Sequence, residues 1–257
     1  MTTLFDRPVS QWLNKVPEVT LGFWIIKIMS TTVGETVADY LAVDAGFGKL
    51  STRIAMGVLL AIALFSQLRK DRYVPWLYWL TVVLVSVVGT QITDALTDDM
   101  GISLYLSTPL FAVALAGIFS LWYAVEKSLS IHTIFSLRRE LFYWSGILCT
   151  FALGTAAGDL ATEALGLGFQ VGVVVFSGLI AVTFAAYKFG ANSVLAFWIA
   201  YILTRPLGAS LGDLLAQAKA YGGLGFGATY TSAAFLTTIV FLVVIAHVRL
   251  RDQRSIA

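Results

Sequence analysis

The sequence predicts an all-α polytopic membrane protein: eight transmembrane helices from four parallel two-helix repeats, with the N-terminus and the C-terminus both cytoplasmic. Three observations predict it. Of the 257 residues, 58% are hydrophobic and only 12% are charged, where a soluble domain carries roughly 25% charged residues. Apolar runs of about 20 residues, enough to cross a hydrocarbon core roughly 30 Å thick, recur from near Val19 to near Val248. One pattern of aromatic, glycine and aspartate residues returns four times.

Taken in order, residues 1–18 contain Arg7 and Lys15 but no cleavable apolar core. They read as a cytoplasmic amphipathic lead-in, with Leu4, Phe5, Trp12 and Leu13 available to rest on the membrane surface. Helices are expected at 19–42 and 50–68 (repeat 1, 19–72), and at 73–96 and 102–125 (repeat 2, 73–127). A cytoplasmic connector, 128–139, leads to helices at 140–163 and 167–187 (repeat 3, 140–190) and at 191–217 and 226–248 (repeat 4, 191–248). Residues 249–257 form a cytoplasmic tail. Cationic loops resist translocation, so their placement sets orientation. Twelve of the loop and terminal lysines and arginines fall on the side of the termini, and three (Lys49, Arg53, Lys219) on the other. The net charge of +2 is small, and neither basic cluster has the length or aromatic interleaving of a nucleic-acid surface.

The repeat is read from spacing. Phe23-Trp24, Tyr78-Trp79, Tyr143-Trp144 and Phe197-Trp198 precede Gly34, Gly89, Gly154 and Gly208 by one interval, and Asp39, Asp94, Asp159 and Asp213 follow those glycines by another. Each unit holds two spans, so all four copies share one orientation, which disfavours inverted-repeat folds. On Trp24, Trp79, Trp144 and Trp198, over about residues 19–248, the chain resembles a family of bacterial integral membrane proteins of unknown function with four tandem two-helix repeats, each carrying a characteristic tryptophan. The resemblance implies the architecture and a bacterial inner (plasma) membrane location; it implies no activity.

The residues must therefore supply the function. A carboxylate deep in a bilayer costs about 2.5–3.5 kcal/mol on insertion scales and turns toward a partner or a water-filled cavity. Glu35, Asp39, Asp94, Asp159 and Asp213 are accordingly the candidate cation-binding and metal-ligating residues, with Lys27, Thr31, Thr90, Thr155 and Arg205 as auxiliaries. Lys27, Thr31, Glu35 and Asp39 recur every four residues and so form one stripe on a helix. Thr90, Thr155 and Ala209 occupy the slot of Glu35 in the other copies. Arg205 lies eight residues before Asp213 on the same face, and Pro206 is expected to break or kink its helix locally. Lys27 is expected to partner Glu35, and Arg205 to partner Asp213. The repeated tryptophans and glycines read as packing positions, and the aspartates also admit a structural reading as caps near the outer interface.

Oxygen donors of this kind suit Mg²⁺, Mn²⁺, Ca²⁺, Na⁺ or a proton. The only histidines, His132 and His247, lie near the cytoplasmic face, and the single cysteine, Cys149, is isolated, which disfavours a soft-metal site. No nucleotide-binding loop, zinc-protease helix or nucleophile elbow occurs, so an enzyme is not expected, nor an organic cofactor. The leading expectation is a small secondary transporter, an exporter or proton antiporter of a hard, foremost divalent, metal cation. The alternatives are a cation channel with a pseudo-fourfold aspartate ring and a membrane scaffold without transport. Lipid, a hard cation and protons are the expected partners, nucleic acid is not, and a homodimer is compatible with the sequence.

Overall fold

Eight α-helices and no strands make up the described residues of the computed structural model, which are 14–41, 46 and 48–255, with the side chains at 38, 39 and 253–255 excluded. The lead-in up to Leu13 and Asp44 lie outside them, as does the side chain of Asp39. The helices are α1 (Leu21–Asp39), α2 (Lys49–Leu68), α3 (Pro75–Asp94), α4 (Leu104–Glu126), α5 (Leu137–Asp159), α6 (Gly168–Lys188), α7 (Ser193–Ala216) and α8 (Ala228–Ser255).

Local sequence sets the starts. The side chain of Thr20 accepts a hydrogen bond from the Phe23 amide at 3.3 Å, Ser136 accepts from Arg139, and Asn192 accepts from both Val194 and Leu195, each satisfying amides that a helix N-terminus leaves without partners. Pro75 opens α3, where its missing N–H is no loss. The helices α3 and α5 do not stop at their repeated aspartates but widen into π-helical turns, Ala95–Asp99 and Leu160–Ala164; α1 does the same at 40–41. Only α7 continues past its aspartate in α geometry. It also runs through Pro206 unbroken, so the expected local break is absent. Helix α8 runs on to Ser255, past the expected end of its span at 248 and into the expected tail.

Seven helices are long and apolar enough to cross a membrane; α1, carrying Lys27 and Glu35, is not among them. Burial divides them into two classes. In α2, α4, α6 and α8 only 22%, 17%, 17% and 11% of the apolar window is buried, against 50%, 61% and 61% in α3, α5 and α7. The odd-numbered helices form an inner ring in which α1 packs on α3, α3 on α5, α5 on α7, and α7 back on α1. The even-numbered helices coat it, and each packs chiefly on the inner helix of the next copy: α2 on α3, α4 on α5, α6 on α7, and α8 on α1. Their outer faces expose Val58, Ile62, Val113, Val174, Val182 and Phe241, the surface expected against lipid.

In lipid, apolar burial drives helix association weakly, and close packing with buried polar contacts replaces it. The repeated glycines supply the packing. A Cβ on Gly34 would overlap the side chain of Ser86, one on Gly89 would come within 2.6 Å of Phe151 Cβ, one on Gly154 would overlap Arg205, and one on Gly208 would overlap Thr31. Each copy's glycine thus receives a side chain of the next copy, and the fourth receives the first. Toward the end of the bundle that carries the termini, the aromatic pairs follow the same rule: Phe23 meets Trp79 at 5.5 Å, Tyr78 meets Trp144 at 5.6 Å, Tyr143 meets Trp198 at 6.3 Å, and Phe197 meets Trp24 at 5.7 Å. Tilted and edge-on ring pairs of this kind contribute about 0.5–1.5 kcal/mol each beyond their area.

A buried candidate ion site at the centre of the helix ring

The four-residue stride of the inner helices stacks their side chains in layers about 6 Å apart. The layer around Glu35 is the polar centre. Arg205 Nη2, from α7, donates to Glu35 Oε2 at 2.6 Å, to Thr155 Oγ1 at 2.7 Å and to Thr90 Oγ1; its Nη1 donates to the Thr31 carbonyl at 3.2 Å. One nitrogen therefore sits among three oxygens drawn from the three other repeats, and Thr90 Oγ1 also lies 3.5 Å from Glu35 Oε2. Arg205 is 1% exposed and Glu35 is 8% exposed. Thr31 Oγ1 donates to the Thr204 carbonyl at 3.1 Å, tying α1 to α7 beside the ion pair.

The expected pairing is therefore corrected. Arg205 of α7 reaches Glu35 on the adjoining α1, and Lys27, on the stripe of Glu35, has no hydrogen-bond partner. The Lys27 ammonium lies 4.0 Å from the centroid of Phe151 and 4.3 Å from that of Tyr201, a cation–π placement that stands in for oxygen acceptors. The reason is geometric: Glu35 Oε2 already faces the Arg205 fork, which can serve several acceptors at once.

Beyond this layer lies the acidic end. Asp159 is half-buried at the end of α5 and Asp213 is buried on α7; Asp159 stands within electrostatic reach of Glu35, Glu163, Asp213 and Arg205. Asp94, half-buried at the end of α3, interacts with Lys49. Farther out, Lys49 pairs with Asp98 at 3.2 Å and Arg53 pairs with Asp99. Glu35, Thr90, Thr155, Asp159, Asp213 and Arg205 thus share one region. Among the described residues, no three His, Cys, Asp or Glu side chains come together as a group able to hold a metal ion; the oxygens that accept from Arg205 are one carboxylate, two hydroxyls and the Thr31 carbonyl. Cys149 is half-buried with Sγ 3.6 Å from the Phe111 carbonyl, remote from this chemistry.

Two polar features escaped the sequence reading. The Tyr78 and Tyr143 hydroxyls share a 2.5 Å hydrogen bond inside the aromatic belt. Glu140, 1% exposed, accepts from Lys15 at 2.5 Å and from Gln67 Nε2 at 3.3 Å, joining the segment before α1 to α2 and α5. The signal for the first was present: only the two middle copies carry Tyr before the Trp. Glu140 stood out only as an acid beside the basic pair Arg138 and Arg139.

The ring of inner helices, its apolar coat and the buried ion pair at its axis define a multi-pass helical membrane protein with internal fourfold repetition. The family model described as a Repeat of Unknown Function (DUF347) matches residues 22–73, 77–128, 142–191 and 196–252, and the chain belongs to this repeat family. No curated protein and no solved structure is found to match the chain.

Proposed function

We propose that the chain is a small secondary transporter of the bacterial inner membrane that moves a hard metal cation, foremost a divalent one, in exchange for protons. One observation carries the reading. Arg205 Nη2 occupies a position bounded by Glu35, Thr90 and Thr155 oxygens, an all-oxygen set of the type that hard cations take. The guanidinium stands in for the substrate cation. In transport, a cation entering past Asp159 and Asp213 competes with Arg205 for Glu35, and Arg205 returns to Glu35 when the cation leaves. The tethered positive charge keeps the buried carboxylate compensated between cycles, which an empty site would not. The excess of basic residues at the terminal side supports a cytoplasmic placement of both termini, with the acidic end facing out.

The closed ring of four inner helices also suits a channel, but its axis is filled at successive layers by the aromatic belt, Lys27, Phe151 and Arg205, which favours a carrier. The test is flux of Mn²⁺, Mg²⁺, Ca²⁺ and Na⁺ into proteoliposomes holding a pH dye, for wild type, Glu35→Gln and Asp39→Asn. Cation uptake with opposing proton movement, lost in Glu35→Gln, is the expected result. No flux of any of the four under any pH gradient overturns the proposal, and unitary currents replace the carrier with a channel.

A further inference from the structure

The terminal side of the ion site carries a line of buried hydroxyls that the cation route does not use. Tyr143 and Tyr78 share their 2.5 Å hydrogen bond one layer above Lys27. The Tyr201 hydroxyl, on a residue 1% exposed, has no hydrogen-bond partner, and neither has the Lys27 amine beside its ring. Tyr201 lies within electrostatic reach of both Tyr78 and Tyr143, and Tyr143 within reach of Glu140 and half-buried Tyr73 at the terminal end. Lys27 and Tyr201, both fully buried, thus hold two unsatisfied polar groups beside the Tyr78–Tyr143 hydrogen bond; buried polar groups are otherwise satisfied, and a water or a turn of the Tyr201 side chain would join these into a relay.

We propose that Lys27 is the proton-carrying group of the exchange, and that Tyr143, Tyr78 and Tyr201 connect it to the cytoplasmic end. The inference rests on the transporter reading above and names its coupling residue. A proton arriving at Tyr143 from the Glu140 side allows Tyr143 to hand its own hydroxyl proton to Tyr78, and Tyr78 to hand one to Tyr201. Tyr201 then gives a proton to the neutral Lys27 amine. Each hydroxyl breaks one O–H bond and forms another, so no tyrosine keeps a charge, and release runs in reverse. Coupling follows from position. Lys27 Nζ and the Arg205 guanidinium lie 4.0 Å and 6.0 Å from the centroid of the same Phe151 ring. A charged Lys27 repels positive charge at the Glu35 layer, and a neutral Lys27 admits it. The groups facing Lys27 are Glu35 on its own helix, Arg205 and Tyr201 from α7, Tyr78 from α3 and Tyr143 from α5; between Thr231 and Ala246 α8 has no charged residue.

The experiment uses the full chain in lipid and has two arms. In proteoliposomes, Mn²⁺ uptake driven by a pH gradient is compared with Mn²⁺ exchange at equal pH. Lys27→Met is expected to keep exchange and lose the response to the gradient, and Tyr201→Phe to slow gradient-driven uptake at least about tenfold. Lys27→Met that still responds to the gradient overturns the inference while leaving the transporter intact; absence of both fluxes in wild type sinks the transporter instead. The second arm needs no substrate. In ¹⁵N-lysine-labelled protein in nanodiscs, the Nζ signal that Lys27→Met removes is expected to shift when the bulk pH is changed. Its exchange with bulk water is expected to slow in Tyr201→Phe, a variant that loses one oxygen and no volume. A Lys27 signal that ignores pH, or exchange unchanged by Tyr201→Phe, refutes the relay whatever the flux shows.

Discussion

Replacing Arg205 by methionine tests the centre of the molecule, because its consequence depends on which acid the arginine serves. In the wild type Glu35 receives the Arg205 fork at 2.6 Å and a Thr90 contact at 3.5 Å, and it is 8% exposed. Without the fork its charge is left buried, and breaking one side of such a pair costs about 3–5 kcal/mol. Glu35→Gln is milder, since an amide oxygen still accepts from Arg205 and the threonine oxygens remain. The double variant with methionine at both positions removes both charges and is expected to recover much of the loss, giving a coupling energy of roughly 2–3 kcal/mol. Unfolding is followed in mixed micelles by fluorescence of the seven tryptophans, with Asp99→Asn combined with Arg205→Met as the uncoupled control. If the Glu35 and Arg205 losses add to within about 0.5 kcal/mol, the two side chains do not meet, and the pairing of the fourth copy with the first is wrong.

Four further outcomes are expected from the same unfolding assay. Gly154→Ala and Gly208→Ala drive a methyl into Arg205 and Thr31 and should each cost about 1–3 kcal/mol or prevent folding. Gly117→Ala, where a Cβ meets open space, should be neutral or stabilise by up to about 1 kcal/mol; equal effects at the three sites would remove the argument for cyclic packing. Tyr78→Phe leaves the Tyr143 hydroxyl without its partner and should cost about 1–3 kcal/mol, with Tyr143→Phe adding little once Tyr78 is gone. Lys15→Met strands buried Glu140 and should lose about 3–5 kcal/mol, whereas Asp99→Asn at the exposed Arg53 pair should change stability little.

The eight helices were legible because each apolar run has its own length limit, and the repeat was legible because Trp, Gly and Asp keep one spacing. The ring was not. The spacing of Lys27, Glu35 and Asp39 assigns them to one stripe of α1, but a helical period says nothing about which helix stands opposite. For that reason it suggested Lys27 with Glu35, two turns apart on one face, where the structure joins Glu35 to a side chain 170 residues away. Arg205 occupies in the fourth copy the slot of Thr31, Ser86 and Phe151, so its exceptional character was visible and its target was not. The repeated glycines were read as packing residues in general; that each receives the next copy's side chain depends on the order of helices around the axis. The π turns after the aspartates left no pattern in the sequence that periodicity detects.

The coat helices that lean on the following copy give the ring a seam, and the seam is closed by α8, the coat helix of the fourth copy. During synthesis α1, the inner helix that does not qualify as a span by itself, precedes the other three, so Lys27 and Glu35 both await neighbours from α5 and α7. At roughly 5–20 residues per second, the 170 residues from Glu35 to Arg205 take on the order of ten seconds or more to arrive. The packing of α8 on α1 completes the enclosure of α1. A chain that stops before α7 lacks the side chain that compensates Glu35. The central site is therefore assembled only when the fourth copy meets the first, which a chain of self-contained hairpins would not require.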